Sequence, residues 1–443
     1  MRPVRIALLL LAALLVVAGF QWFDRFSSDP ADGTARAAPW APPTYAEALD
    51  QLNRDVAKEQ ARVAADPDAW MRQESLAMVL HARGQLTGSH EDLAVALDAA
   101  DASRAAAPDG SGPVLARAIV SLSMHRNAAA REEIARIAGF AVEPEPGDKG
   151  EAASIKGDIA LYEGKYPQAL EHYRAAEALA PGPGIRVRLA DWYRHMGDFD
   201  TARRYLKEAL ADRASLTAWT RASVLLQLGA IDLQQGDWDA AEAQFAKADA
   251  AFPGWWLAKA HLAQMAAAKG DYARAEALYR ETMTDGIERP AVMEALSGVI
   301  AAQGGRDAEA KGLAARAASL WFAQVKSHPE AYADHAMGAA LAEGDTRRAG
   351  ALAAASYRAR PYGDSRIGLA RAALALGDGR LSRKLIEELD RTGWRSSEQY
   401  VVLADACSAL RDDGCLERAR RSALAITPRA FDERAAFLSF GNH

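Results

Sequence analysis

The sequence predicts an all-α fold, a right-handed α-solenoid of about ten helical hairpins. Three observations predict it. A short pattern recurs: "GKYPQALEHYRAAEALAP" from Gly164, "GDFDTARRYLKEAL" from Gly197, "GDWDAAEAQFAKADAAFP" from Gly236 and "GDYARAEALYRETM" from Gly270. Each copy has an aromatic two places after the Gly (Tyr166, Phe199, Trp238, Tyr272) and Ala five places after it (Ala169, Ala202, Ala241, Ala275). The marker Gly returns at Gly305, Gly344, Gly377 and Gly414, at intervals of 33 to 39 residues, the period of stacked helix pairs. Finally, the chain uses Ala heavily and β-branched residues sparingly, and helical apolar periodicity runs almost unbroken from Tyr45 with no alternating strand pattern.

Taken in chain order, the first element is an address. Arg2 and Arg5 precede an apolar run from Ile6 to Phe20, and Gln21, Trp22 and Phe23 extend it toward spanning length. The expectation is an N-terminal transmembrane or signal-anchor helix (1–26), with a cleaved signal peptide as the alternative. It implies a lipid bilayer as partner and an inner-membrane, single-pass placement, N-terminus cytoplasmic and body periplasmic. A cytoplasm-facing body is disfavoured by the arginine placement. Residues 27–44 are rich in Pro, Ala and small polar residues and read as a flexible linker.

Residues 45–139 read as divergent hairpin repeats, one across Trp70–Gly110 and one across Gly112–Gly139. "FAVEPEPGDKG" (Phe140–Gly150) is the longest interior break, an extended loop or a linker between two domains. Residues 150–438 carry the phased repeats. In each, the Gly closes the first helix in a left-handed cap. The charged residue after it opens the second helix at its positive end. The Ala five places on, and a small residue seven places before the Gly (Gly157, Ala190, Gly229, Ala263), let the two helices approach closely. Pro181, Pro253 and Pro361 end the units.

Composition excludes several function classes. A net charge of -6 leaves no basic footprint for nucleic acid. There is no phosphate-binding Gly loop and no His-Glu-x-x-His. "DGSGP" (Asp109–Pro113) lacks the strand–turn–helix setting of a nucleophile elbow. His328 and His335 are split by Pro329, and His90 with Glu91 and Asp92 reads as a solvated helix start. No catalytic residue, cofactor or metal site is expected. Trp238 and Trp321 fall at packing phases. Trp255–Trp256 lies at a turn, either packing on the preceding repeat or forming an exposed contact patch.

The pattern resembles the tetratricopeptide repeat family over about 150–430. The match rests on Gly157, Gly164, Tyr166, Ala169, Tyr173, Ala176 and Pro181, and again on Leu228, Gly229, Gly236, Trp238, Ala241, Phe245, Ala248 and Pro253. It weakens where Thr346 replaces the aromatic and Ser382 the small residue. The resemblance implies a concave groove lined by first helices. Its ligand-facing positions map here to Ser154, Asp158, Leu161, Val187, Asp191, Arg194, Leu226, Leu233, Gln264 and Val299, acidic at one end and apolar in the middle. The family's carboxylate-gripping subclass needs Lys and Asn where this chain has Ser154, Asp158, Val187 and Asp191. The implied function is a membrane-tethered, periplasm-facing scaffold that binds a protein or peptide, in envelope assembly or protein maturation. A hydrolase or transferase with a cryptic site among the repeats is the alternative.

The two cysteines, Cys407 and Cys415, flank the last hairpin turn closely enough for a disulfide, a spacing also similar to that in exported helical-repeat proteins. The alternative is two separately buried thiols in the helical core.

Overall fold

The computed structural model describes residues 41–140, 142–212 and 215–439. A helix at Tyr45–Ala65 is followed by ten antiparallel hairpins and a 3-10 segment, Glu433–Ser439. Hairpin 1 pairs Trp70–Thr87 with His90–Ala106, hairpin 2 Val114–Ser123 with Asn127–Arg136, and hairpin 3 Pro146–Tyr162 with Tyr166–Leu179. Hairpin 4 pairs Pro183–His195 with Phe199–Ala211, hairpin 5 Ala218–Gln234 with Trp238–Ala251, and hairpin 6 Trp256–Ala268 with Tyr272–Glu281. Hairpin 7 pairs Pro290–Gln303 with Asp307–Ser327, and hairpin 8 Pro329–Glu343 with Thr346–Ala359. Hairpin 9 pairs Gly363–Ala375 with Gly379–Asp390, and hairpin 10 Ser397–Ala409 with Asp413–Ile426. No strand occurs among the described residues.

The recurring pattern builds each hairpin by local physics. Gly164 sits at φ 70°, a left-handed conformation that lets the chain reverse. The Asp after the marker is a side-chain cap: Asp198 accepts from Thr201 N at 3.1 Å, Asp237 from Ala240 N at 3.0 Å and Asp378 from Leu381 N at 2.9 Å. A Cβ on Gly157 would lie 2.3 Å from the Tyr173 ring, and one on Gly229 would lie 2.4 Å from Phe245. The small residue on one helix is therefore the socket for an aromatic on the other. The phase marker of hairpin 10 needs correction: Arg411, at φ 57°, takes the left-handed position and Asp412 caps the helix. Gly414 lies inside the second helix.

Across Phe140–Gly150 the stack continues, because the first helix of hairpin 3 packs on both helices of hairpin 2. That helix begins at Pro146, inside the expected break.

The superhelix is tight enough to close on itself. Backbone and side chains at one hairpin turn meet the turn that precedes a hairpin about six further along. Arg289 Nε donates to the Thr87 carbonyl at 2.8 Å, Arg395 N to the His195 carbonyl at 2.8 Å, and Thr427 Oγ1 to the Gln234 carbonyl. These side-chain contacts, with that of Tyr332 to Met124, span 193 to 208 residues of sequence. One apolar cluster accordingly joins Leu76, Ile119 and Tyr162 to Tyr332, Tyr362 and Trp394.

The localisation expected from the sequence is corrected. Among the described residues no helix is long and apolar enough to cross a membrane. The most apolar first helices, Val114–Ser123 and Pro290–Gln303, are 10 and 14 residues long, short of the about 20 that a bilayer needs, and pack between protein layers. The single-pass inner-membrane placement and the bilayer contact are therefore not upheld. The Ile6–Phe20 run and the 27–40 part of the linker lie outside the described residues.

Candidate functional site

The ten residues expected to line an open groove do lie on first helices, but all are buried. Gln264 and Val299 are 0% exposed, and the most accessible of the ten, Leu226, is 7% exposed. In an open solenoid the inner face of each first helix meets solvent. Here the second superhelical turn covers hairpins 3 to 5 and the C-terminal segment packs on hairpins 6 and 7, and the inner face becomes core.

Asp158, Asp191, Arg194 and Gln264 are engaged in internal contacts. Asp158 Oδ1 accepts from Tyr173 Oη at 2.9 Å, and both its oxygens accept from Arg188 Nε at 3.2 and 3.1 Å. Arg188 is itself fully buried and donates to Glu151 Oε1 at 3.0 Å. Burial pushes the Asp158 carboxyl up to about 6, against the pull of Arg188 and the Tyr173 hydroxyl. One helix on, Asp191 pairs with Arg194 and lies 3.4 Å from His195 Nε2. Burial opposes ionisation of Asp191, yet Arg194 and His195 outweigh it and hold the carboxyl well below its usual range. Burial, then the Arg194 charge, presses the His195 imidazole down to about 4. Ser154, Leu161, Val187, Leu226 and Leu233 are buried with no exposed face to offer a ligand. Gln264 Oε1 lies 3.1 Å from His261 Nδ1.

The residues that make the seam were not among the sequence candidates. Trp394 is fully buried; its ring stacks on His195 at 3.9 Å and lies 5.4 Å from Tyr166. Tyr362 meets Tyr162 edge-on at 5.3 Å, and Tyr332 Oη lies 3.1 Å from His90 Nδ1. Trp255 and Trp256 both donate from Nε1 to the Leu86 carbonyl, at 3.2 and 3.0 Å. Trp255 packs on the preceding repeat, as one of the two sequence readings held, with the Trp219 ring 6.4 Å and the Phe252 ring 6.1 Å away; the bonds of both indoles to hairpin 1, far back in sequence, were in neither reading. One signal was present. The turns before hairpins 6, 9 and 10 carry Trp255, Tyr362 and Trp394, and Tyr332 lies in the first turn of the helix opening hairpin 8, whereas the turns at 107–113 and 180–182 carry no aromatic. Trp238 and Trp321 are core residues.

Cys407 and Cys415 are joined in a disulfide across the last hairpin, with Cα atoms 5.6 Å apart. Both are buried, so the bridge staples the two helices whose following turn covers hairpin 5. Among the described residues no group of three or more His, Cys, Asp or Glu could hold a metal ion.

A tetratricopeptide repeat family model matches residues 184–252. That segment is hairpins 4 and 5, in which Asp198 and Asp237 cap the second helices and Gly229 receives Phe245. The matched segment thus carries the full pattern; hairpin 3 shares its socket, Gly157 against Tyr173, and hairpins 6 and 8 share its Asp caps. Among solved structures, a tetratricopeptide repeat protein from Parabacteroides merdae ATCC 43184 is similar at 12% identity and a TM-score of 0.35, covering 59% of this chain and 98% of that one. Yeast Tom70 is similar at 14% identity and a TM-score of 0.37, covering 97% of this chain and 94% of that one. No curated protein matches the sequence.

Proposed function

We propose that this chain is a non-catalytic scaffold that binds a protein partner, and that its task is the assembly or maturation of other proteins. The observation that carries the reading is the array itself: ten stacked hairpins, two of them matched by the tetratricopeptide model. Such an array offers a long surface of repeated small units, suited to holding an extended or helical segment. The first-helix residues of hairpins 3 to 5 cannot be that surface in the closed superhelix, and those of hairpins 6 and 7 lie under the C-terminal segment. Binding falls to the second helices, whose outer faces are exposed, and to the edges of the superhelix.

Photo-reactive residues placed at Leu179 and Leu381, 44% and 40% exposed, test the reading in the native host. The expected result is reproducible cross-linking to one or a few proteins, which then form a stoichiometric complex with the purified chain. Absence of any such complex, together with turnover of a substrate by the purified chain, would overturn it.

A further inference from the structure

The second superhelical turn runs out after hairpin 10. Thr427 bonds to the Gln234 carbonyl and Arg429 lies 4.2 Å over the Trp238 ring, so this turn covers hairpin 5. Hairpin 6 and hairpin 7 come next. What lies on them is the 3-10 segment Glu433–Ser439, packed on their first helices, Trp256–Ala268 and Pro290–Gln303. Phe437 sets its ring 5.3 Å from Tyr272 and packs on a cluster that includes Ala260, Ala267 and Val299. Leu438 packs on the neighbouring cluster, and Ala435 is buried.

This contact differs in kind from the seam. The seam centres on Trp255 and Trp394, both fully buried in the turns between hairpins. The segment on hairpins 6 and 7 is seven residues long, and its two largest apolar side chains, Phe437 and Leu438, are only half-buried. Its receptor helices include Gln264 and Val299, two of the positions the sequence assigned to partner binding.

We propose that residues 433–439 are an intrachain ligand, and that the surface beneath them takes a short segment of a partner protein with the same chemistry. That chemistry is small residues followed by an aromatic and a branched apolar residue, as in "AAFL". The proposal rests on the scaffold reading and names its partner class. A tethered ligand competes at the effective concentration set by its linker, in the millimolar range for short flexible linkers. Weakening the tether-borne ligand must therefore tighten binding of the same segment in trans.

The test uses the full chain, wild type and Phe437→Ala, with a fluorescent peptide of sequence AFDERAAFLS read by anisotropy. The expected result is binding to the Phe437→Ala chain at least about tenfold tighter than to wild type. Hydrogen exchange should show peptide protection in 256–268 and 290–303. Tyr272→Ala in the Phe437→Ala background should abolish binding, and so should replacing Phe by Ala in the peptide. If Phe437→Ala does not fold, Leu438→Ala provides the same comparison with a smaller truncation. Equal affinity for both chains, or no binding to the weakened chain, overturns the proposal. Partner cross-links at Leu179 or Leu381 would then still stand, which separates failure of this site from failure of the scaffold reading.

Discussion

The first and second superhelical turns are built from the same hairpin, yet their turn glycines sit in different surroundings. In the first turn a Cβ on Gly164 would lie 2.6 Å from the Pro361 carbonyl oxygen, and one on Gly197 would lie 2.9 Å from the Arg395 side chain. In the second turn a Cβ on Gly344 or Gly377 would meet nothing within 4 Å. All four are left-handed, Gly164 at φ 70° and Gly377 at φ 86°. A sequence motif that looks uniform thus carries one constraint in the second turn, backbone conformation, and two in the first, conformation and close approach.

The largest expected effect breaks the seam that creates this difference. Trp394→Ala removes a fully buried indole between His195, Tyr166 and Tyr362, and should destabilise the chain by about 3–5 kcal/mol in urea unfolding. Leu376→Ala, at a 54% exposed site of the second turn, should stay within about 0.5 kcal/mol. Equal losses for the two would mean that the turns do not pack as described.

The glycines themselves come next. Gly164→Ala combines left-handed strain with a clash against backbone and should lose about 2–4 kcal/mol. Gly377→Ala meets only the strain and should lose about 1 kcal/mol. Thermal unfolding of both variants beside wild type sharpens the comparison, and a larger loss at Gly377 would reverse it.

Acid should act on the first turn through two opposed sets of buried groups. Burial presses down the imidazoles of His81, His90, His125 and His195, and pushes up the carboxyls of Glu74 and Asp158. His195 is held at about 4 in the folded chain, against about 6.5 when unfolded. Its contribution is complete above pH 6.5 and is lost as pH falls toward 4, about 2 kcal/mol between pH 7 and 5. Asp158, raised to about 6, works the other way: its burial penalty is relieved as pH falls through 6, returning about 1 kcal/mol. Urea unfolding at pH 7 and 5 should therefore show a net loss in wild type, and His195→Gln should shrink that loss by about 2 kcal/mol, leaving the part carried by the other buried histidines.

The smallest effect concerns what the turns share. Asp198→Ala and Asp378→Ala each delete a helix cap, in the first and second turn respectively. Each should lose about 1 kcal/mol, with no difference between turns. A clear difference would show that even the caps feel the superhelical packing.

Much of the fold was legible because its causes are short-range. A Gly followed by Asp, an aromatic and an Ala describes a cap, a helix start and a helix–helix contact, all within a few residues of the marker. The same logic failed at Gly414, where Arg411 holds the left-handed position and Asp412 the cap, because a Gly two or three residues away resembled the marker. The candidate site was legible only as a set of first-helix positions. Asp158, Asp191 and Leu233 do lie on those helices, but whether their faces meet solvent depends on residues some 200 positions away.

By itself the sequence determined the helices, their pairing into hairpins and the direction in which pairs stack, since periodicity, caps and small-residue sockets act between near neighbours. Only the tertiary structure decided that the stack closes turn upon turn, setting Tyr362 against Tyr162 and stacking Trp394 on His195. The physical reason is accumulation: the rotation between adjacent hairpins is small, no single motif encodes it, and its sum over about six hairpins fixes whether two turns touch.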